Sequence, residues 1–153
     1  MLACNTRPPA FPTLSRSSPQ HGCRNSVASQ GALLSAIGTT TPDTLVLQSS
    51  PEPASCLSIF LQSSTLLPVQ TTFGDGILCL GGQLRRLYLK TASAGVVQAP
   101  EAGDLSITQQ SAALGDPIAP GSVRYYQVWY RDGEPGFCAP GSFNISNGLR
   151  VVW

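Results

Sequence analysis

The sequence predicts an all-β domain: an antiparallel β-sandwich, jelly-roll or immunoglobulin-like, of eight or nine strands behind an extended N-terminal arm. Three observations carry that expectation. Short apolar runs alternate with Gly, Pro, Ser and Asp breaks roughly every eight to twelve residues from Gly31 onward. No stretch long enough for an amphipathic helix keeps helical spacing. The run Val123-Arg124-Tyr125-Tyr126-Gln127-Val128-Trp129-Tyr130-Arg131 is bulky at every position from Val123 to Tyr130 and holds three of the four tyrosines. At the strand period of two, Tyr126, Val128 and Tyr130 share one face and Tyr125, Gln127 and Trp129 the other. A strand bulky on both faces belongs in the middle of a sheet.

In chain order, residues 1–30 carry Pro8, Pro9, Pro12 and Pro19 among Ser, Arg and Thr and lack hydrophobic periodicity, so they read as an extended arm or linker. Residues 31–153 are the sandwich domain. Expected strands are Ala32–Ile37, Thr44–Gln48, Leu57–Gln62, Ile77–Leu80, Leu84–Lys90, Gly95–Gln98, Leu105–Thr108, Val123–Arg131 and Leu149–Trp153. The separators, among them Thr41-Pro42-Asp43, Gly74-Asp75-Gly76 and Asp132-Gly133, supply a fixed φ or a tolerance of positive φ at each turn. Tyr126, Val128 and Tyr130 are expected in the core, with Leu45, Leu47, Ile59, Leu87 and Leu89 around them.

Charge bounds the chemistry. Net charge is +1 and 11% of residues are charged, against roughly 25% in ordinary soluble domains. No basic patch suggests nucleic acid, and no apolar run approaches the ~18 residues of a membrane helix. Lysine occurs once, at Lys90, and histidine once, at His21. Metal ligands are not clustered and a Ser-His-Asp site has no histidine in the domain body, so neither an enzyme nor a cofactor or metal site is expected.

The five cysteines, Cys4, Cys23, Cys56, Cys79 and Cys138, are too dispersed for a metal knuckle; two disulfides and one leftover thiol is the economical reading. Many pairings are open. Local logic favours Cys4–Cys23, pinning the arm, and Cys79–Cys138, which would close a loop worth roughly 4 kcal/mol in chain entropy. Cys56 is then the free thiol.

Phe73-Gly74-Asp75-Gly76-Ile77-Leu78-Cys79 followed by Tyr126-Gln127-Val128-Trp129-Tyr130-Arg131-Asp132 resembles a family of uncharacterised secreted domains. Planctomycete and myxobacterial genomes encode these in many copies, often at the C-terminal end of large exported proteins. Gly22-Cys23-Arg24-Asn25-Ser26, Phe143-Asn144-Ile145-Ser146-Asn147-Gly148 and the closing Val151-Val152-Trp153 extend the resemblance over residues 22–153. It implies a β-sandwich of bacterial origin, extracellular or at the cell surface, with no known activity. Any export signal is expected upstream, the chain being a fragment. The family tends to begin with a Cys- and Gly-rich knot; here the Arg7–Pro12 run follows Cys4 instead.

Two functions are expected. The first is a non-catalytic structural or adhesive module, self-assembling through the arm into a surface fibre or larger assembly by strand addition. The second is binding of an extracellular glycan by Gln127, Trp129 and Arg131, a ring flanked by an amide and a guanidinium. Asp75, in its glycine turn, is a lone candidate for a hard cation, and Asn144-Ile145-Ser146 matches a glycosylation sequon.

Overall fold

The computed structural model describes residues 22–134, 137 and 142–153. Among them lie ten strands and one helix: β1 (Leu33–Ile37), β2 (Val46–Ser50), β3 (Leu57–Ser63), β4 (Leu66–Phe73), β5 (Gly76–Leu80), β6 (Arg85–Thr91), β7 (Val97–Ala99), α1 (Ile107–Ala113), β8 (Val123–Arg131), β9 (Phe143–Ile145) and β10 (Leu149–Val152). A three-stranded sheet runs β1-β2-β7; a larger sheet runs β10-β8-β3-β6, with β9 also on β8; β4 and β5 form a separate hairpin. The strand pairs are antiparallel.

The sandwich is built around β8. On one side it pairs with β3 from Tyr125↔Ser63 to Tyr130↔Ser58; on the other it takes β10 at its start and β9 at its end. Tyr126, Val128 and Tyr130 are fully buried beside Phe60 of β3 and face Leu34, Leu47, Val97 and Ala99 of the small sheet. The opposite face is bulky for a separate reason. The β4–β5 hairpin lies over it, so Tyr125, Trp129, Ile59 and Leu61 pack with Leu66, Phe73, Leu78, Leu80 and Ile145 in a second core. Gly74, at φ 61°, opens the two-residue hairpin turn at the position that needs a positive φ. Gly76 then lets the tip come close: a Cβ there would stand 2.5 Å from Ile145 Cγ2.

Three local expectations change. β4 was not expected, because Pro68 and the polar Gln70-Thr71-Thr72 hide its period; its register breaks between Leu66 and Thr71, as a proline-bearing outer strand allows. The strand expected at Leu105–Thr108 is the start of α1, set by Ser106 at the N-cap and Gln109 in a capping box. Leu89 is 63% exposed rather than in the core. The β3–β6 register shifts between Phe60 and Leu61, which turns both Leu87 and Tyr88 inward and breaks the simple alternation.

Residues 22–30, expected as the end of the arm, pack into the domain, and residues 1–21 lie outside the described residues. Gly22 N donates to Ala32 O (2.9 Å) on the outer edge of the small sheet. Beside it, the Asn147 side chain occupies the place of a strand. Leu34 N donates to its Oδ1 (2.6 Å) and its Nδ2 donates to Leu34 O (3.2 Å). The free edge of β6 is touched likewise, where Gln110 Nε2 of α1 donates to Leu87 O (2.9 Å).

Candidate functional site

Of the three residues expected to form a ligand face, Gln127 is removed from it. Its side chain is fully buried, and it links sheet to hairpin. Oε1 accepts from Cys79 N (2.8 Å) and Leu80 N (3.3 Å), and Nε2 donates to Ile77 O (3.1 Å) and Ser146 O (2.9 Å). The hairpin cover, which no local pattern announces, converts an expected surface amide into a core one.

Trp129 is half-buried and Arg131 exposed. The indole lies 5.6 Å from the Phe143 ring, which packs edge-on to Phe73 at 5.0 Å, and the Arg131 guanidinium sits 5.5 Å from the indole centroid. Both neighbours occupy the ring that a sugar would stack on. Beyond Arg131 an open, shallow depression runs between Ser26-Val27, the 53–56 segment and Asp132-Gly133.

That end of β8 gathers the most polar contacts. Asn25, 1% exposed, donates to Pro51 O (2.8 Å) and to the Tyr130 hydroxyl (3.1 Å), while its Oδ1 accepts from Val27 N and Ala28 N. Asp132 is fully buried and accepts from Ser26 N (3.0 Å) and from the Ser26 hydroxyl. Asn144 Nδ2 donates to Arg24 O (2.7 Å). Residues 22–28 are thus clamped onto the Tyr130–Asp132 end of the central strand. Asn144 is itself fully buried, so the sequon offers no acceptor for a glycan in the folded domain.

A second clamp holds the other end. Trp153, 9% exposed, donates from Nε1 to the Tyr126 hydroxyl (3.1 Å) and from its backbone to Ser122 O (2.9 Å), while Gly121 N donates to Trp153 O. Sequence reasoning marked the closing Val151-Val152-Trp153 as strand. It missed Asn25, Asp132 and Asn144 because short polar residues beside turns carry no sign that they are buried.

Asp75 comes near Asp132 at the hairpin tip. Burial first, then the Asp132 charge, raises its pKa, and its Oδ2 is buried without a hydrogen-bond partner. Among the described residues no group of three or more His, Cys, Asp or Glu is placed to hold a metal ion. Nor is any described helix long and apolar enough to cross a membrane.

The cysteines need one correction. Cys79 is a free thiol, not bridged to Cys138. Leu78 and Leu80 face the second core, and the alternation of β5 turns Cys79 toward Gly148, where an added Cβ would sit 3.7 Å from its own. Burial pushes its pKa up. Cys4 and Cys138 lie outside the described residues. Cys23 is disulfide-bonded. Cys56 is free and buried, its pKa pushed up to about 12, chiefly by desolvation, which leaves it a poor nucleophile. Peptide mapping of the non-reduced protein is expected to find Cys23 cross-linked and Cys79 alkylated after unfolding. A cross-linked Cys79 peptide would contradict this assignment. The Arg24 guanidinium lies 5.4 Å from the Phe137 ring centroid.

Compared with known proteins, the chain matches no family model, no curated protein and no solved structure.

Proposed function

We propose that this domain is a non-catalytic structural module of an extracellular or cell-surface protein, built to be held by its two chain ends. The observation that supports this is the pair of clamps. Asn25 and Ser26 are fixed to Tyr130 and Asp132, Arg24 to Asn144 beside them, and Trp153 to Ser122 and Tyr126, towards opposite ends of one continuous strand. Val123 and Tyr130 are roughly 23 Å apart at strand rise. Tension between the chain ends therefore runs along β8, the strand with most neighbours. The disulfide at Cys23 reinforces the clamp on residues 24–26. With the outer edge of β1 already met by Gly22 and Asn147, association between copies falls to the arm rather than to that edge. Glycan binding is the weaker reading, since Gln127 is committed to the hairpin and the Trp129 ring to Phe143 and Arg131.

Single-molecule pulling tests this reading. With handles at residues 22 and 153 the domain is expected to unfold in one high-force step, lowered by Asn25→Ala or Asp132→Asn. Handles on the exposed turns at Gly38 and Gly103 should need less force. Equal or lower force along the 22–153 axis would sink the proposal.

A further inference from the structure

Glu52, in the segment joining the two sheets between β2 and β3, is the most unusual ionisable group of the fold. It is 2% exposed, and no cation among the described residues reaches it. Its Oε2 accepts from the Ser58 hydroxyl of β3 (2.5 Å) and, more weakly, from the Cys56 thiol (3.4 Å). Its Oε1 is buried with no partner, and so is the hydroxyl oxygen of Ser49, on β2 of the other sheet. The Ser49 hydroxyl acts on the carboxyl in the direction that lowers its pKa, against the larger rise from burial. A neutral carboxyl can pair both atoms, donating from Oε1 to Ser49 Oγ while Oε2 goes on accepting from Ser58; an ionised one could instead accept from the Ser49 hydroxyl, but only as a buried anion.

We propose that Glu52 is a proton-operated latch between the sheets: closed as the neutral acid bridging Ser49 and Ser58, and loosened when the carboxyl ionises. The surroundings fit a neutral group. From β3 it meets Ser58, and from the segment before β3 the Cys56 thiol. On β8 the Tyr130 hydroxyl, taken by Asn25, feels the charges of both Glu52 and another acid, Asp132. The turn before β7 offers only the Gly95 carbonyl, which accepts Glu52 N–H (2.9 Å). Lys90, opposite Ser58 in the register, is engaged by Glu101 (2.9 Å) and Asp104 (2.6 Å). Ionised, Glu52 would be a buried anion with hydroxyl and thiol donors alone, a costly state.

The direction with pH follows. Burial raises the Glu52 pKa above the ordinary 4.5. The stabilisation is then complete below that ordinary value and is lost as pH rises through the raised one. The proton comes from solvent and returns to it. The test is a series of thermal melts from acid to mildly alkaline pH on the intact chain, Glu52→Gln and Ser49→Ala. The wild-type melting temperature is expected to fall as pH rises. Glu52→Gln, whose amide copies the neutral acid, should remove that slope and melt higher than wild type at the alkaline end. Ser49→Ala reads which way that hydroxyl bonds: a fall moved to lower pH makes it the acceptor from the neutral acid, and a fall moved to higher pH makes it a donor to the carboxylate and overturns the latch. An unchanged slope in Glu52→Gln, or an equal loss at every pH, overturns the latch. If that variant does not fold, the Glu52 carboxyl carbon shift in labelled wild type decides: a carboxyl that stays neutral above the ordinary 4.5 supports the latch, and one that ionises at or below it overturns it.

Discussion

Replacing Tyr130 by alanine is expected to destabilise the domain by about 3–5 kcal/mol, the range for deleting a large aromatic side chain from a close-packed core. Tyr130 is fully buried in the sandwich core beside Val128. Its loss leaves a cavity between the sheets and removes the hydroxyl that Asn25 donates to. Tyr130→Phe separates the two effects: it keeps the ring and drops one hydrogen bond, for a cost of about 1 kcal/mol. Urea titrations measure both, with the slope showing whether the transition stays two-state. A Tyr130→Ala cost under about 1 kcal/mol, typical of surface substitutions, would mean that the ring is not in the core.

Gln127→Leu is expected to cost about as much through a different route, roughly 3–5 kcal/mol, from polar groups left unpaired at about 1–3 kcal/mol each. Leucine fills the volume, yet Cys79 N, Leu80 N, Ile77 O and Ser146 O all lose the group they bond. The loss should be local. The β4–β5 hairpin meets the sheet through this amide and the second core, so amide exchange across Ile77–Leu80 should accelerate before the sandwich melts. Uniform acceleration across all strands would show that the hairpin is no separate unit.

Those two residues mark what the sequence makes legible. The two-faced bulk of Val123–Arg131 identified the central strand with its bounds intact, and the side carrying Tyr126, Val128 and Tyr130 is the sandwich core. The other side stayed open between core and an alternative ligand face, because alternation says which residues share a face and not what covers it. What covers Trp129 is the hairpin, whose outer strand is disguised by Pro68. Leu89 fails for a related reason: one bulge shifts parity, and no single residue type announces a bulge. Glu52, between two prolines, reads as an ordinary solvated turn, since a charge normally stays in water. Its burial comes from the fold around it, with Ser49 and Ser58 brought in from opposite sheets.

The amide of Asn147 also bears on how this protein stays in solution. Sheet proteins commonly keep their outer strands apart with lysine or other charges, whose repulsion stops chains from zipping together. Here there is one lysine, a net charge of +1 and a pI near 7.6, so Coulombic repulsion between copies is weak near neutral pH. Keeping β1 of one molecule from templating on another falls instead to an uncharged group. The carboxamide satisfies the Leu34 N–H and C=O that a foreign strand would seek. Because it carries no charge, that protection is indifferent to ionic strength, and colloidal behaviour in brine should differ little from that in dilute buffer.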